Sequence, residues 1–258
     1  MDSSQNTGRF SLEMGRILVT GASRGLGRGI ALAATEAGAD VIGIARSESG
    51  LHETKTLTEG MNGGFEAMDA DLTDEAGLDR LVRQAWEGGP ITGIVHAAGV
   101  QARRPAVDIT RDDWRRVAAI HTEAPFFLST SVARLQQDSG VTGSHVFIGS
   151  LTSWIGLPNI APYAAGKSGI LGLTRTLAVE WAELGIRVNA VCPGYFHTAL
   201  TDEVLSDPDR RSQLLARIPM RRFGIAEDLA GAVIFFLSAA SDYVTGQVIN
   251  VDGGWLAG

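Results

Sequence analysis

Three side chains near the middle of the chain could together move a proton onto or off a carbonyl oxygen. Tyr163 and Lys167 are four residues apart, so on a helix they would share one face. Ser150 follows the apolar run Val146–Gly149, which predicts a buried strand. A hydroxyl, a phenol and an ammonium would then converge at the carboxyl end of a sheet. Because many helices contain a Tyr-x-x-x-Lys spacing, a half-buried tyrosine beside a solvated lysine is the alternative.

A glycine-rich turn lies between the first predicted strand and the first predicted helix. The apolar run Arg16–Thr20 is followed by Gly21, Gly25 and Gly27, and the helix ends at Gly38. Glycines let the backbone approach a pyrophosphate, and a helix N-terminus presents free N–H groups to it. The spacing is G-x-x-x-G-x-G rather than G-x-G-x-x-G, and an ordinary strand-to-helix turn is the alternative. In this context we predict dinucleotide binding.

The end of the second predicted strand indicates which dinucleotide is preferred. An acidic residue near this point would bind the ribose hydroxyl of NAD, but positions 45 and 46 are Ala45 and Arg46, and Asp40 lies at the opposite end of the strand. A planar guanidinium suits a 2′-phosphate, and Arg24 in the glycine turn could add a second cation. We therefore predict NADP(H) in preference to NAD(H), with a solvated Arg46 as the alternative.

Composition and charge exclude several classes of protein. The formal charge of −7 and the absence of a basic stripe argue against nucleic-acid binding. The single Cys192 excludes an internal disulfide, and no run is long and apolar enough for a membrane helix. The five histidines lack metal-ligand spacing, and Ser150 is not in a G-x-S-x-G turn, which disfavours a metal site or a serine hydrolase. We predict a cytoplasmic protein with a small-molecule substrate.

Strands and helices alternate along almost the whole chain, which predicts an α/β fold. We predict a single Rossmann-type doubly wound domain, with a seven-stranded parallel sheet and helices on both faces. The predicted strands are Arg16–Thr20, Val41–Arg46, Gly64–Met68, Ile91–His96, Ser144–Gly149, Ile186–Cys192 and Gln247–Val251.

Three segments depart from this regular alternation. Residues 1–14 are predicted to be a flexible tail that precedes the domain of residues 15–258. A long helix begins after Thr110, and Pro125 predicts a kink or a stop near its middle. Residues 195–222 are polar and predict a mobile substrate loop that carries a short helix, Leu214–Ile218.

Taken in order, these motifs resemble the short-chain dehydrogenase/reductase family over residues 16–255. The matching motifs are the glycine turn, Ala98-Gly99, Ser150, Tyr163-x-x-x-Lys167, Pro193-Gly194 and Thr198. The resemblance implies hydride transfer between a nicotinamide and a carbonyl or alcohol. It also implies that Tyr163 is the general acid or base, that Ser150 donates to the substrate oxygen, and that Lys167 lowers the pKa of the tyrosine and binds the nicotinamide ribose.

The resemblance further implies a set of cofactor-binding residues. In it, Thr198 would hold the carboxamide and Asp71 would contact adenine. The full set is Gly21, Ser23, Arg24, Gly25, Leu26, Gly27, Arg46, Asp71, Leu72, Ala98, Gly99, Tyr163, Lys167, Pro193, Gly194 and Thr198.

Two positions depart from the family pattern. His96-Ala97 stands where the family usually has Asn-Asn, and His121 stands where a fourth catalytic residue, an asparagine, supports a water relay to the lysine. Because histidine binds water and titrates near neutrality, we assign His121 to the catalytic set and expect altered pH behaviour. A weak enzyme, or a dinucleotide-binding sensor without turnover, is the alternative.

The substrate is suggested by a closer resemblance within the family. The surroundings of Ser150 and Tyr163 are similar to the gluconate 5-dehydrogenase and 2-deoxygluconate 3-dehydrogenase branch, and the 3-oxoacyl-carrier-protein reductases share most of these motifs. Arg103 and Tyr195 are the candidate substrate residues, since an arginine can bind a sugar-acid carboxylate through two hydrogen bonds. A solvated arginine at the rim of the site is the alternative. The family implies a homotetramer or a homodimer.

Overall fold

The computed structural model describes residues 8–198 and 206–258, and strands within these residues form one sheet. The strands are β1 Arg16–Thr20, β2 Asp40–Ala45, β3 Phe65–Asp69, β4 Gly93–His96, β5 Gly143–Ile148, β6 Ile186–Pro193 and β7 Val248–Val251. All neighbouring strands are parallel, in the order β3-β2-β1-β4-β5-β6-β7. The predicted seven-stranded parallel sheet is confirmed, and the predicted strand ends lie within two residues of the observed ends.

Helices alternate with these strands. They are α1 Gly25–Glu36, α2 Glu48–Leu57, α3 Glu75–Glu87, α4 Arg111–Ala118, α5 Ala124–Ser139, α6 Ala161–Glu180, α7 Pro208–Arg217 and α8 Ala226–Leu237. Among the helices in the described part of the chain, none is both long and apolar enough to cross a membrane.

Side chains that alternate along the strands bury the two faces of the sheet. On β1, Ile17 and Val19 pack on the face covered by α1 and α8, while Leu18 packs on the opposite face with α3 and α5. Phe147 of β5 packs against α6 in a third cluster. Because both faces of the central strands are covered, β1, β4 and β5 are almost fully buried, and ligands of such sheets bind at the carboxyl ends of the strands.

The long helix predicted after Thr110 is interrupted, as expected. A π-helical turn, Ala119–Glu123, separates α4 from α5, and Pro125 lies in the first turn of α5. Proline has no N–H to donate to a preceding turn, so the regular ladder cannot continue through this position. The wider turn carries His121 toward the carboxyl edge of the sheet.

The packed domain begins earlier than residue 15, so the predicted tail of residues 1–14 is too long. Leu12 is buried between α1 and β1, and its N–H donates to the Ala37 carbonyl at 2.8 Å. Phe10 packs against Phe235, with ring centroids 6.3 Å apart. The prediction missed these two buried apolar residues because the residues around them are mostly polar. Residues 1–7 lie outside the described residues.

The helix predicted within residues 195–222 is wrong in its bounds. The observed helix, α7, begins at Pro208, where the Asp207 carboxylate accepts hydrogen bonds from the N–H groups of Asp209 and Arg210. Proline at the first helical position after an acidic cap is a strong start signal, and it places the helix earlier than Leu214–Ile218. The proposed mobility of this loop remains a prediction, and residues 199–205 lie outside the described residues.

Two buried histidines, His96 in β4 and His145 in β5, should make the free energy of unfolding decrease in acid. Burial lowers the pKa of His145 to about 3, and burial followed by the charges of His145 and Lys167 lowers the pKa of His96 well below 6.5. Both are uncharged in the folded chain, so the unfolded chain binds more protons as the pH falls below about 6.5. Stability is therefore full above that pH and decreases toward pH 3, by up to about 1.4 kcal/mol per pH unit for each histidine.

We expect His145→Gln to reduce this pH dependence by about one proton. Glutamine does not titrate, and its amide can retain the hydrogen bond that joins His145 Nε2 to Gln136 Oε1 at 3.1 Å. Urea unfolding between pH 7.5 and 5 measures the slope, with the exposed His52→Gln as the control variant. Equal slopes in all three proteins would contradict the prediction.

Candidate active site

The strand order reverses between β1 and β4, and the candidate site lies at the carboxyl ends of these strands. At such a switch point the connections diverge to opposite faces and leave a crevice. The glycine turn follows β1, the Ala98-Gly99 turn follows β4, and Ser150 follows β5. The fold therefore brings the predicted cofactor and catalytic segments to one edge.

The glycine turn is closely packed and admits no side chains at two positions. Gly21 has φ +74°, and a Cβ there would lie 2.8 Å from Ala98 Cα. A Cβ on Gly27 would lie 2.2 Å from the Gly21 carbonyl oxygen. The Ala98 N–H donates to Thr20 Oγ1 at 3.2 Å, which joins the β1 and β4 turns. These contacts hold the backbone at the surface of the crevice.

The N-terminus of α1 points into this crevice. Helix α1 begins at Gly25, and within the described chain no side-chain hydrogen bond from Arg24 caps it. Thr198 lies over the turn, since its Cγ2 is 3.8 Å from where a Gly25 Cβ would be. Uncapped N–H groups beside glycines form a site suited to a phosphate, so these residues fit the pyrophosphate of a dinucleotide.

Arg46 and Asp71 lie together at the outer part of the crevice. Arg46 is exposed directly after β2, and its charge contributes to lowering the pKa of Asp71. The largest lowering comes from Thr73, whose N–H and hydroxyl donate to Asp71 Oδ1 at 2.9 and 2.8 Å. The Leu72 side chain is buried in the core, so only its main-chain atoms could contact a cofactor.

Ser150 and Tyr163 are brought together by β5 and the first turn of α6. Ser150 is buried at the start of a short 3-10 turn, and its Oγ accepts from the Thr152 N–H at 3.2 Å. Tyr163 is half-buried, and the Ser150 side chain is close enough to lower its pKa. Two hydroxyls therefore share one point at the carboxyl end of β5, where a substrate oxygen could accept from both.

Lys167 lies one turn along α6, but it does not lower the pKa of Tyr163 as expected. Burial raises the pKa of Tyr163, and this effect exceeds the lowering by Ser150 and by the charge of Arg103. The Lys167 ammonium is 5.7 Å from the tyrosine ring centroid and donates to the Ile148 carbonyl at 2.6 Å. Burial lowers the pKa of Lys167 to about 8. In this state of the chain, the tyrosine is a proton donor at neutral pH.

His121 reaches the site in an uncharged state, which corrects the expectation that it titrates near neutrality. Burial, followed by the charge of Lys167, lowers its pKa to about 3, although a backbone hydrogen bond with Val100 opposes this. Its Nε2 is 2.7 Å from the Val100 oxygen and 3.1 Å from the Val100 nitrogen. The imidazole contacts the Tyr163 ring edge-on, with centroids 5.0 Å apart. His121 thus links the β4 turn to the catalytic tyrosine candidate.

The remaining predicted residues border the same crevice from the side of β6. Pro193 ends β6, and the Gly194 N–H donates to the Val251 carbonyl at 2.9 Å. Tyr195 packs against Trp255, with ring centroids 5.0 Å apart. Arg103 is half-buried in the loop after β4, and its charge acts on both Tyr163 and Tyr195.

Sequence reasoning missed one residue that organises the site. The Ser153 hydroxyl accepts from the Ser150 N–H at 3.2 Å and donates to the Lys167 carbonyl at 2.7 Å. A polar residue three positions after Ser150 was the available signal, since a short turn returns that side chain to the strand end. In residues 8–198 and 206–258, no group of three His, Cys, Asp or Glu residues could hold a metal ion.

Comparison with known proteins gives the family. A family model described as enoyl-(acyl carrier protein) reductase matches residues 21–256. A 2-dehydro-3-deoxy-D-gluconate 5-dehydrogenase of Dickeya dadantii is 39% identical over 249 residues, which cover 96% of this chain and 98% of that protein. A gluconate 5-dehydrogenase of Gluconobacter oxydans is 37% identical, with 95% and 96% covered.

A solved structure extends the likeness to three dimensions. The crystal structure of a gluconate 5-dehydrogenase from Burkholderia cenocepacia, in complex with NADP and tartrate, superposes with a TM-score of 0.90 at 34% identity. The match covers 98% of this chain and 99% of that one. The chain belongs to the short-chain dehydrogenase/reductase family and is an oxidoreductase that acts on CH–OH groups.

Proposed function

We propose that this chain is an NADP(H)-dependent dehydrogenase that interconverts a secondary alcohol and a ketone on a sugar acid. The observation that carries the proposal is the placement of Ser150 and Tyr163 together at the carboxyl end of β5, where Ser150 acts on the pKa of the tyrosine, one helical turn from Lys167. The similarity to gluconate 5-dehydrogenases supports the substrate class. Turnover of gluconate and related sugar acids, followed by nicotinamide absorbance, tests it.

The chain's own groups account for the proton chemistry. When bound, NADP(H) donates or accepts the hydride at the reacting carbon. Ser150 would donate a hydrogen bond to the substrate oxygen and stabilise its developing negative charge. Tyr163, whose pKa is raised by burial, would transfer the phenolic proton to that oxygen during reduction and recover it during oxidation.

Lys167 and His121 would support this proton transfer. During oxidation the tyrosine must become a phenolate, and Lys167 is the cation one turn away that would stabilise that charge. His121 is neutral, so it would act by position, holding the Val100 backbone against the tyrosine ring. No change of His121 charge is expected between pH 5 and 8.

The chain fits NADP(H) at three places along the crevice. The glycine turn and the α1 N-terminus would hold the pyrophosphate, with Ser23, Leu26 and Gly27 around it. Arg46 would bind the 2′-phosphate, with Arg24 as a second cation, and Asp71 would contact the adenine. Gly99, Gly194 and Thr198 would border the nicotinamide. Similar proteins with bound NADP support this assignment.

We expect Arg46→Asp to reverse the cofactor preference. The substitution removes the guanidinium and places a carboxylate where it repels a 2′-phosphate and can accept from a ribose hydroxyl. The ratio of kcat/KM with NADP to that with NAD should fall by a factor of about 100, since charge-assisted contacts contribute about 1.5–3 kcal/mol. Initial rates with both cofactors measure the ratio, and Arg175→Asp on the exposed face of α6 is the control. An unchanged ratio would show that the phosphate is bound elsewhere.

Two further assignments stay predictions. The similarity to a 3-oxoacyl-[acyl-carrier-protein] reductase of Salmonella typhimurium, at 35% identity over 238 residues, favours reduction of a 3-oxoacyl thioester as the second candidate activity. Turnover of a 3-oxoacyl thioester but of no sugar acid would establish it. Assembly as a homodimer or homotetramer is supported by the exposed apolar residues Trp114, Phe127 and Val179 on α4, α5 and α6. Light scattering on the purified chain of 27.2 kDa checks the assembly.

A further inference from the structure

Tyr195 connects the catalytic edge of the sheet to a small apolar cluster beside it. The cluster consists of Leu151, Ile218, Phe223 and Trp255, with Tyr195, Ile155, Leu214, Leu215 and Leu256 packed against it. Leu151 directly follows Ser150, and the Tyr195 and Trp255 rings are 5.0 Å apart. A substrate that extends from Ser150 toward Tyr195 would therefore meet this cluster and the helix that covers it.

That helix, α7, directs two arginines toward the same place. Arg210, Leu214 and Arg217 are spaced by four and three residues, so they share one helical face. Leu214 packs on the cluster, which fixes the direction of this face. The Arg217 guanidinium carbon lies 4.3 Å from the Trp255 ring centroid, a stacking contact that orients the guanidinium.

A third arginine, from the loop after β4, also acts on Tyr195. Arg103, in the loop after β4, donates from Nη2 to Gln101 Oε1 at 3.2 Å. Burial raises the pKa of Tyr195, while the charges of Arg210, Arg103 and Arg217 lower it. Of these three arginines, Arg103 alone also acts on Tyr163. Arg103 is thus placed near the reacting atoms, and the two arginines of α7 lie farther along.

These three cations have no acidic partner in the described chain. The ion pairs observed there involve other arginines, namely Arg16, Arg28, Arg104, Arg115, Arg116 and Arg222. In a protein with a formal charge of −7, three arginines around one phenol are a local concentration of positive charge. Guanidinium groups arranged in this way suit carboxylates and phosphates, which they bind through two parallel hydrogen bonds.

We propose that the substrate carries two anionic groups, one at each end of its chain. Arg103 binds the carboxylate nearer the reacting carbon, and Arg210 and Arg217 bind a second carboxylate or a phosphate at the far end. The inference rests on the proposed function, and it narrows the substrate class from sugar acids in general to sugar diacids or phosphorylated sugar acids. It assigns α7 the task of selecting substrates by their second charge.

The test compares three acids with the same six-carbon chain. Gluconate has one anionic group, glucarate has a second carboxylate, and 6-phosphogluconate has a terminal phosphate. Initial rates of NADPH formation give kcat/KM for each. We expect glucarate or 6-phosphogluconate to exceed gluconate at least tenfold, since one charge-assisted hydrogen bond contributes about that much. The better of the two identifies the second group as a carboxylate or a phosphate.

Variants of α7 connect the preference to its residues. Arg210→Gln and Arg217→Gln should each reduce the ratio of kcat/KM for the preferred dianion to that for gluconate by about tenfold. Arg175→Gln is the control, because Arg175 is exposed on α6 and lies outside this cluster, and it should leave the ratio unchanged.

Three results would overturn the inference. If gluconate is oxidised as efficiently as both dianions, the second anion site does not exist. If the preference persists in both α7 variants, its origin lies elsewhere. If none of the three acids is oxidised, the proposed function itself fails and this inference falls with it. The first two results leave the proposed function intact, so the two failures are distinguishable.

Discussion

Replacing Tyr163 by phenylalanine is expected to lower kcat by a factor of about 10³ while cofactor binding persists. The substitution removes only the phenolic hydroxyl, whose pKa Ser150 influences, and positioned acid–base groups contribute about 10²–10⁴ in rate. The phenylalanine ring can keep the edge-on contact with His121, whose centroid is 5.0 Å away. Stopped-flow or steady-state rates with the best sugar acid measure the loss, and NADPH fluorescence measures binding.

A matched variant separates proton transfer from packing. Tyr243→Phe removes a phenolic hydroxyl from a fully exposed tyrosine far along the chain and should leave kcat unchanged. A Tyr163→Phe enzyme that retains more than a tenth of the wild-type kcat would remove this tyrosine from its proposed role. In that case Ser150, the other hydroxyl at the site, would be the next residue to substitute.

Replacing Lys167 by methionine is expected to abolish most activity without loss of thermal stability. Lys167 is 5% exposed, and burial lowers its pKa from 10.5 to about 8. Its charged form is therefore disfavoured in the folded chain by roughly 3 kcal/mol at pH 7. Methionine fills similar space without that penalty, although the Ile148 carbonyl loses the hydrogen bond that the Lys167 ammonium donates. The substitution also removes the charge that would stabilise a tyrosine phenolate.

The two effects have separate measurements. We expect kcat for alcohol oxidation to fall at least a hundredfold, while Tm at pH 7 stays equal or rises. Because the cost of the charged lysine disappears as the pH rises from about 8 to 10.5, the difference in Tm between variant and wild type should shrink at pH 10. Lys55, the only other lysine in the sequence, is exposed on α2, so Lys55→Met is the control. A large drop in Tm for Lys167→Met alone would indicate a structural role instead.

The fold could be predicted from the sequence because its signals are local and repeated. Each strand is a short apolar run, and turn glycines such as Gly21 and Gly38 adopt the positive φ angles that end one element and begin the next. Boundaries were less certain where a polar stretch conceals one apolar anchor. Leu12 in the N-terminal segment is such a case. It is buried by packing against helix α1, and no local sequence pattern reveals this contact between distant residues.

The sequence predicts which residues could form the candidate site, but it does not predict their protonation states. Ser150 and Tyr163 lie close together because one follows β5 and the other is in the first turn of α6, and their catalytic roles remain predictions. The pKa values of His121 and Lys167 depend on how much of the fold covers them, and burial dominates both. Sequence reasoning used their values in water, so it predicted a titrating histidine and an acidified tyrosine.

The two hydrogen bonds of Ser153 have a dynamic consequence. Because this hydroxyl also donates to the Lys167 carbonyl, separation of α6 from the end of β5 breaks that bond and loosens the hydroxyl that protects the Ser150 amide. The exchange rate of that one amide proton for deuterium therefore reports how often the proton-transfer residues come apart. A ligand that closes the crevice would slow this exchange, so hydrogen exchange measures the rate at which α6 separates from the end of β5.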